Sequence, residues 1–240
     1  MSGEAGEPAV APTRLVVIRH GETDWNAEGR MQGQLDAPLS RRGRWQAGRL
    51  GDALAGEGIE AIVASDLSRA LDTARALAAA VGLPVSTDPG LRERCFGVFE
   101  GHTYAEIDAR WPEEALRWRG HDAAFGPEGG ERLEDFAERA VAAVRRAAEA
   151  HPGRTVAVVT HGGVLDSLYR AAYGLETTAT RTWLLGNASV NRLLWTGRTF
   201  TVTGWGDTSH LEGAEPPLDD ASEGETPVAP AAGAEPAAAL

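Results

Sequence analysis

Two histidines directly follow runs of apolar, β-branched residues, and each is itself followed by glycine. His20 comes after residues 15–19 (LVVIR), and His161 comes after residues 155–160 (TVAVVT). Such runs predict buried parallel strands, and open α/β sheets bind ligands at the carboxyl ends of their strands. If the two strands are neighbours, both imidazoles lie at one edge of a sheet. An imidazole there is a nitrogen nucleophile that is partly neutral near physiological pH.

Arginine side chains are predicted at the same edge of the sheet. Arg19 ends the first strand, and Arg69 lies in the first turn of a helix that follows a short strand over residues 59–64. A guanidinium group presents a fork of N–H donors that fits the oxygens of a phosphoryl group. Backbone amides near Gly162, at the start of another helix, add donors for an anion. The sequence therefore predicts an anion pocket suited to phosphoryl transfer, which depends on electrostatic stabilisation of this kind.

Glu93 is the candidate proton donor for the leaving group. It lies between Arg92 and Arg94 in a bent, glycine-containing segment over residues 91–100. A carboxyl group beside a bound phosphate dianion can hold a proton until the departing oxygen needs it. The structural alternative is a surface ion pair between this glutamate and one of the neighbouring arginines.

The elements that must position these residues alternate along the chain. We expect strands over residues 15–18, 59–64, 85–87, 155–160, 189–196 and 200–205, and helices that begin at or next to Ser40, Ser65, 103, Pro112, Leu133 and Val164. The helical segments carry apolar residues at helical spacing, whereas the strands are short and apolar. This alternation predicts an α/β fold, a three-layer α/β/α sandwich with a mainly parallel central sheet. Residues 21–39 form a loop long enough to be functional.

The 240 residues carry a formal net charge of −12, but most of the acidity belongs to the two ends. Residues 1–13 and 211–240 contain nine of the 35 acidic residues and none of the 23 basic ones, which leaves 26 acids against 23 bases between them. A nearly neutral folded part does not favour nucleic acid binding by bulk charge. We predict a disordered extension over 1–13, one domain over 14–210 and a disordered acidic tail over 211–240.

The residue types and motifs that the sequence lacks exclude several kinds of chemistry and indicate a cellular compartment. All 23 basic residues are arginine, which rules out a lysine Schiff base or a phosphate-loop lysine. Cys95 is the single cysteine, so an intramolecular disulfide and a cysteine-based zinc cluster are excluded. The sequence has no His-Glu-x-x-His pattern, which disfavours a metal-dependent hydrolase. It shows neither a signal peptide nor an apolar run of membrane-spanning length, so we expect a cytoplasmic protein without membrane contacts.

Five motifs, in order, resemble those of the histidine phosphatase superfamily, in the branch that contains cofactor-dependent phosphoglycerate mutases and related phosphatases. They are Arg19-His20-Gly21-Glu22-Thr23 with Trp25-Asn26, Gly29-Arg30-Met31-Gln32-Gly33 with Leu39-Ser40, Ser65-Asp66-Leu67-Ser68-Arg69-Ala70, Leu91-Arg92-Glu93, and Thr160-His161-Gly162-Gly163. The resemblance covers roughly residues 14–210 and implies that His20 is the phosphorylated nucleophile and Glu93 the proton donor and acceptor. It implies no metal and no cofactor. The residues implied to hold the phosphate are Arg19, Asn26, Gln32, Gly33, Arg69, His161 and Gly162.

Within the family, the resemblance favours a phosphatase over a mutase. Mutases carry a tyrosine shortly after the catalytic glutamate and a lysine further on, where this chain has Phe96 and Tyr104. The loop over residues 117–130 also looks shorter than the mutase loop that covers the bound substrate. Without that lysine and cover, water rather than a second acceptor should take the phosphoryl group. The expected function is hydrolysis of small-molecule phosphomonoesters, with a phosphoglycerate mutase as the alternative.

Substrate identity and assembly stay open at this point. Residues 31–36 (MQGQLD) are similar to those of glucosyl-3-phosphoglycerate phosphatases. A further alternative is therefore a phosphatase specific for glucosyl-3-phosphoglycerate or for another phosphorylated metabolite. Specificity is expected from loops around Gln34, Trp118 and Phe125, and Trp25 is the tryptophan expected nearest the site. A catalytically inactive binding module is disfavoured because every motif residue is present. The last strand either pairs across a homodimer or closes the sheet.

Overall fold

The computed structural model describes residues 11–213, which form an α/β fold. Its strands are β1 (Thr13–Arg19), β2 (Ala61–Ala64), β3 (Val85–Thr87), β4 (Thr155–Thr160), β5 (Val190–Trp195) and β6 (Phe200–Asp207). Its helices are α1 (Asp24–Ala27), α2 (Arg41–Leu54), α3 (Ser68–Val81), α4 (Tyr104–Arg110), α5 (Pro112–Arg119), α6 (Leu133–Glu149) and α7 (Gly162–Tyr173). Short 3₁₀ turns occupy Pro89–Leu91, Gly97–Phe99 and Ser209–Leu211.

The strands form one sheet in the order β3-β2-β4-β1-β5-β6. The first four in this order are parallel, whereas β5 runs antiparallel to β1 and β6 runs antiparallel to β5. β1 and β4 pair directly, with Arg19 opposite Thr160 at their carboxyl ends. The prediction of a mainly parallel sheet is confirmed, and the two strands that precede His20 and His161 are neighbours.

Helices cover both faces of the sheet. On one face, α6 and α7 contribute Phe136 and Leu165 to a core cluster that includes Leu15 of β1. On the other face, α2 contributes Leu50 to a second cluster that includes Ile18 of β1. Because successive side chains of a strand point to opposite faces, a strand covered on both sides must be apolar throughout. The result is the predicted three-layer α/β/α sandwich, with its two cores on either side of β1 and β4.

The backbone after His20 lies against the first turn of α2. A Cβ atom at Gly21 would lie 2.5 Å from the carbonyl oxygen of Gly43, and a Cβ atom at Gly43 would overlap the carbonyl oxygen of Glu22. The Ser40 side chain caps α2 by accepting from the Gly43 amide (3.0 Å), while the Ser40 amide donates to the Glu22 carbonyl (2.9 Å). Two facing glycines therefore allow α2 to hold the chain where it leaves β1.

Several strand boundaries differ from the sequence prediction by one or two residues, and three helices differ from it: β1 begins at Thr13, β2 begins at Ala61 and β6 ends at Asp207. The predicted helix start at Ser65 is wrong, because α3 begins at Ser68 after an extended Leu67, and the Ser65 hydroxyl accepts from the Leu67 amide (3.3 Å). The predicted loop over 21–39 contains α1, which the Thr23 side chain caps in a capping box. Finally, α7 begins at Gly162, two residues before the predicted start.

The predicted terminal extension and tail fall mostly on residues 1–10 and 214–240, which lie outside the described residues. Between residues 11 and 213, no helix is both long and apolar enough to cross a membrane. The same stretch contains no group of three or more histidine, cysteine, aspartate or glutamate side chains arranged to hold a metal ion.

Substitution of Gly43 tests the close approach between α2 and the segment after His20. We expect Gly43→Ala to lower the free energy of unfolding by about 1–3 kcal/mol, the usual cost of overpacking, because the added methyl group meets backbone that cannot turn aside. Urea unfolding followed by circular dichroism measures the change.

Gly48→Ala on the same helix is the matched control. Apart from the adjoining residues and the backbone of α2 itself, no atom lies within 4 Å of a Cβ placed at Gly48, so the better helix propensity of alanine should raise stability by roughly 0.5–1 kcal/mol. If both alanine variants changed stability in the same direction and by the same amount, the packing explanation would be wrong.

Candidate active site

His20 and His161 lie side by side at the carboxyl ends of β1 and β4. The His20 amide donates to the Thr160 carbonyl (2.9 Å), which continues the pairing of the two strands by one residue. The two imidazole rings are buried, with centroids 5.2 Å apart and an interplanar angle of 58°. The parallel register therefore brings together two histidines that are 141 positions apart in the chain.

The environment of His20 defines which of its nitrogens is free. Nδ1 lies 2.6 Å from the carbonyl oxygen of Gly21, and because a carbonyl can only accept, Nδ1 carries the proton. The lone pair is then on Nε2. Burial lowers the pKa of His20 well below its usual range, and the charges of Arg69 and Arg19 lower it further. His20 is thus a neutral imidazole with one unprotonated nitrogen, in a cavity that its ring helps to line.

His161 offers a donor at the same place. Its Nε2 lies 2.8 Å from the Ser65 hydroxyl, and that hydroxyl accepts from the Leu67 amide, so its own hydrogen is available to Nε2. In this arrangement Nδ1 carries the ring proton, and it is buried without a partner among residues 11–213. Burial lowers the pKa of His161 well below its usual range, with Arg69 and His20 as the next causes. An anion beside this ring would satisfy the unpaired Nδ1.

Arg19 and Arg69 carry the positive charge of the site. Arg69 is 1% exposed, and its two terminal nitrogens donate to the carbonyls of Leu35 (3.1 Å) and Gly33 (2.6 Å). Arg19 donates through Nη1 to the carbonyl of Leu185. Within the described chain the Nε atoms of both arginines are buried and lack a partner. Burial lowers the pKa of Arg69 to about 10 and also lowers that of Arg19, so Arg69 remains cationic at neutral pH.

Glu93 is held by backbone amides and not by its neighbouring arginines. Its carboxylate accepts from the Gly163 amide (3.0 Å) at the start of α7 and from the Arg94 amide (2.9 Å). Arg92 pairs instead with Asp66, and the Arg94 side chain donates to backbone carbonyls. The surface ion-pair alternative is therefore wrong, because Glu93 lines the same cavity as His20 and both arginines.

The remaining predicted phosphate ligands lie around the histidines and arginines, and they differ in which of their polar groups are already hydrogen-bonded. Gly162 lies beside the Arg19 guanidinium, 3.5 Å from its Nε to a Cβ placed on the glycine. Asn26 lines the cavity, but its Oδ1 accepts from Thr23. Gln32 also lines the cavity and accepts from the Thr23 hydroxyl (2.9 Å) through Oε1. The amide NH₂ groups of Asn26 and Gln32 are the parts that remain available as donors.

Gly33, the last predicted ligand, lines the cavity in a left-handed conformation (φ +56°). A Cβ atom there would overlap the Glu100 carboxylate, which accepts from the Gln34 amide (3.0 Å). The glycine lets this carboxylate close the turn while the Gly33 carbonyl accepts from Arg69. Gly33 therefore serves to hold Arg69 as well as to border the cavity.

The segment over residues 181–188 contacts Arg19 at the end of β1 and His20 directly after it. The sequence does not predict these contacts. The Asn187 side chain (3.2 Å) and the Ala188 amide (3.1 Å) both donate to the carbonyl of His20. Leu185 accepts from Arg19, and Ala188 holds a positive φ of 54° that is uncommon for a residue with a side chain. The only sequence signal is the turn-forming pair of residues 186–187 just before β5, which indicates a turn but not its contacts.

The outer part of the cavity also differs from the prediction. Trp118 lines the cavity as expected, together with Tyr104, His121, Asp166 and Trp183. The other three residues expected near the site do not line it: Gln34 donates to the Glu93 carbonyl, Phe125 is 3% exposed in a core cluster, and Trp25 borders a separate shallow depression.

The pH dependence of stability tests the buried, neutral state of both histidines. Because their pKa values are lowered by folding, the unfolded chain binds more protons below about pH 6.5. The contribution of the two neutral histidines to the free energy of unfolding is therefore fully present above that pH. It falls as the pH drops, by up to about 1.4 kcal/mol per pH unit for each histidine. Urea unfolding at pH values from 8 to 5 measures this loss.

The double variant His20→Asn/His161→Gln is the comparison protein for that series. Each amide can replace the ring nitrogen that makes the observed hydrogen bond, but neither amide titrates. The wild type should lose more stability than this variant on going from pH 8 to pH 5. A difference between the two proteins that stayed constant with pH would show that the histidines are not buried as neutral groups.

Comparisons with known proteins agree with this geometry. The sequence profile of the histidine phosphatase superfamily (branch 1) matches residues 15–208. Phosphoglycerate mutase-like protein 4 of Arabidopsis thaliana is 42% identical over 202 residues, 82% of this chain and 86% of the relative. Glucosyl-3-phosphoglycerate phosphatase of Mycolicibacterium vanbaalenii is 45% identical over 169 residues, 68% of this chain and 75% of the relative.

Solved structures give the same result. Bacillus stearothermophilus YhfR superposes with a TM-score of 0.79 at 38% identity, covering 83% of this chain and all of that one. The mycobacterial glucosyl-3-phosphoglycerate phosphatase in complex with VO3 gives a TM-score of 0.72 at 38% identity, covering 81% of this chain and 99% of that one. The described fold, the arrangement of the two histidines and the match over residues 15–208 lead to one conclusion. This chain belongs to branch 1 of the histidine phosphatase superfamily.

Proposed function

We propose that the protein is a phosphatase that hydrolyses small-molecule phosphomonoesters through a phosphohistidine intermediate on His20, without a metal. The observation that carries this proposal is the hydrogen bond from His20 Nδ1 to the Gly21 carbonyl, which leaves the Nε2 lone pair free. The lowered pKa of His20 keeps that nitrogen unprotonated at neutral pH. The positive charge that phosphoryl transfer needs is supplied by Arg19 and Arg69.

In the first step, His20 Nε2 attacks phosphorus and the bond from phosphorus to the ester oxygen breaks. Glu93 gives its proton to that oxygen, so the leaving group departs as a neutral alcohol. The guanidinium groups of Arg19 and Arg69, with the ring proton of His161, stabilise the charge on the phosphoryl oxygens. Arg19 and Arg69 line the cavity, and each of the three side chains has a buried nitrogen without a partner in the described chain, which supports this assignment.

In the second step, water attacks the phosphorus of the phosphohistidine. The Glu93 carboxylate takes a proton from the water, the bond from phosphorus to Nε2 breaks, and inorganic phosphate leaves. Glu93 returns to its protonated state and His20 returns to its neutral one. The two hydrogen bonds from Gly163 and Arg94 hold the carboxylate in one position for both proton transfers.

Replacement of His20 tests the nucleophile. His20→Asn can keep the hydrogen bond to the Gly21 carbonyl but has no atom at the position of Nε2. We expect kcat for 4-nitrophenyl phosphate to fall by at least about a thousandfold, because removal of a covalent nucleophile abolishes the two-step route. Wild type quenched with detergent at alkaline pH should carry an acid-labile, base-stable phosphoryl group that the variant lacks.

Two results would contradict the proposal. Undiminished hydrolysis by a folded His20→Asn variant would eliminate His20 as the nucleophile. Conversion of 3-phosphoglycerate into 2-phosphoglycerate, primed with the bisphosphate and faster than hydrolysis, would instead support the mutase alternative. The phosphatase is preferred because Tyr104 stands where the resemblance places the mutase lysine, so retention of a bisphosphate is weakened.

Replacement of Glu93 tests the proton donor. Glu93→Gln keeps the shape of the side chain and one of its two contacts with backbone amides but cannot give up a proton. We expect kcat/KM for an alkyl phosphate to fall by about 10²–10⁴-fold, the usual contribution of general acid catalysis. The loss for 4-nitrophenyl phosphate should be much smaller, because nitrophenolate departs without a proton. Equal losses with both substrates would assign Glu93 a structural role only.

The compartment and the partners stay predictions from sequence. The expected partner is a phosphorylated small molecule, and the expected compartment is the cytoplasm, which the single cysteine favours. We expect no binding to nucleic acid or membranes. β6 is an edge strand of the sheet, as a pairing across a homodimer would require.

A further inference from the structure

The cavity is larger than its phosphate-binding floor. His20, Arg19, Arg69 and Glu93 form the floor of a cavity of about 450 Å³. Pockets of roughly 300–1,000 Å³ hold ligands of drug size, whereas a phosphoryl group needs only the floor. The outer wall of the cavity therefore faces whatever is esterified to the phosphate.

Two aromatic side chains form one part of this wall. Tyr104 and Trp118, called here the aromatic platform, have ring centroids 5.6 Å apart at an interplanar angle of 32°. The Thr103–Glu106 capping box fixes the start of α4 at Tyr104, and Trp118 packs from α5 against a core cluster. Tyr104 nevertheless stays 50% exposed. Tyr104 is exposed and Trp118 is half-buried, and both line the cavity, so aromatic surface beside the floor is available to a bound molecule.

Polar groups complete the wall. Arg181 lines it as a donor, and Asp166 lines it as an acceptor on α7. His121 also lines it, and because its Nδ1 donates to the Arg119 carbonyl (3.0 Å), its Nε2 is an acceptor. The Asp166 carboxylate accepts from Arg170 Nε (2.8 Å) through Oδ2, while Oδ1 has no partner among residues 11–213. Arg170 in turn donates to two carbonyls of the segment over 176–179, so the carboxylate is held in place. The wall thus combines flat apolar surface with fixed hydrogen-bonding groups.

We propose that this wall is a leaving-group subsite for a hydroxylated ring, and that the preferred substrates are sugar phosphates and not short acyclic phosphates. The proposal rests on the phosphatase function given above. The face of an aromatic ring is negative, so it attracts the positively polarised C–H groups on the face of a sugar ring. Hydroxyl groups at the edge of that sugar reach Asp166, His121 and Arg181.

The position of Asp166 indicates the size of the leaving group that the cavity accepts. Asp166 follows Gly162 by four residues, one helical turn or about 6 Å along α7. Gly162 lies beside Arg19 on the floor, so Asp166 lies one helical turn farther along α7 than the residues of the floor. A three-carbon leaving group spans that distance only when extended and has no flat face for the aromatic platform. A pyranose or furanose ring reaches both features at once.

Paired substrates test the subsite. Glucose 6-phosphate and glycerol 1-phosphate are both esters of a primary alcohol, so they differ in the ring and not in the bond that breaks. We expect wild-type kcat/KM to favour glucose 6-phosphate. Tyr104→Ala should lower kcat/KM for glucose 6-phosphate about tenfold, the loss expected for one aromatic contact, and change that for glycerol 1-phosphate less than about twofold.

Two further variants keep the result interpretable. Tyr104→Phe retains the ring and should restore the preference, which separates stacking from loss of the hydroxyl. Leu116→Ala, at a residue of α5 that is 69% exposed and does not line the cavity, is the matched control and should leave both substrates unchanged.

The possible failures are distinguishable. The subsite proposal is overturned if the wild type prefers glycerol 1-phosphate, or if Tyr104→Ala reduces hydrolysis of both substrates equally. It is also overturned if neither substrate is hydrolysed while His20-dependent turnover of 4-nitrophenyl phosphate persists. Each of these results leaves the phosphatase function intact. Absence of turnover with every phosphomonoester would instead refute the proposed function itself.

Discussion

The structure depends on burying positive charge at the carboxyl edge of the sheet without a salt bridge to neutralise it. Arg69 is 1% exposed and makes no ion pair within the described chain, and its donors go to two carbonyls. Burial of an unpaired charge is costly, so the surrounding fold must supply the stability that this edge does not. Burial, and after it the charge of Arg69, lowers the pKa of His20 and His161. The Nε atoms of Arg19 and Arg69 stay without partners in the described chain. An anion bound at this edge would offset that cost.

The rigidity of this edge comes from parts that are distant in the chain. The pairing of β1 with β4 fixes the two histidines relative to each other, and the facing glycines Gly21 and Gly43 let α2 pack on the turn after His20. From the opposite side, Asn187 and Ala188 donate to the carbonyl of His20. His20 is therefore restrained through its backbone from three sides, and its ring is oriented by the carbonyl of Gly21. Such restraint is what effective positioning of a reacting group requires.

The floor of the site could be predicted from the sequence, whereas its wall could not. Arg19, His20 and His161 end or follow strands, and strand pairing is a regular rule that places their side chains together. The wall depends on how irregular segments pack, which no periodicity encodes. Phe125 shows the difficulty: a loop aromatic expected near the substrate is 3% exposed in the core, while Tyr104, not assigned to the site, lines the cavity. The predicted start of α3 is wrong for a related reason. The hydrogen bond between Ser65 and His161 uses a residue that the local sequence assigns to the helix, and Leu67 before the helix is extended.

Helix α7 contributes its first turn to the floor of the cavity and its second turn to the wall. Its first turn supplies the amide that holds Glu93, and Ser167 one turn later donates back to the carbonyl of Gly163 (3.0 Å). Asp166, on that second turn, faces the wall and is anchored through Arg170 to a different segment. Because the backbone of a packed helix is rigid, side chains of the second turn can change without moving the amides of the first. In a fold built in this way, the wall of the cavity can vary while its floor stays unchanged.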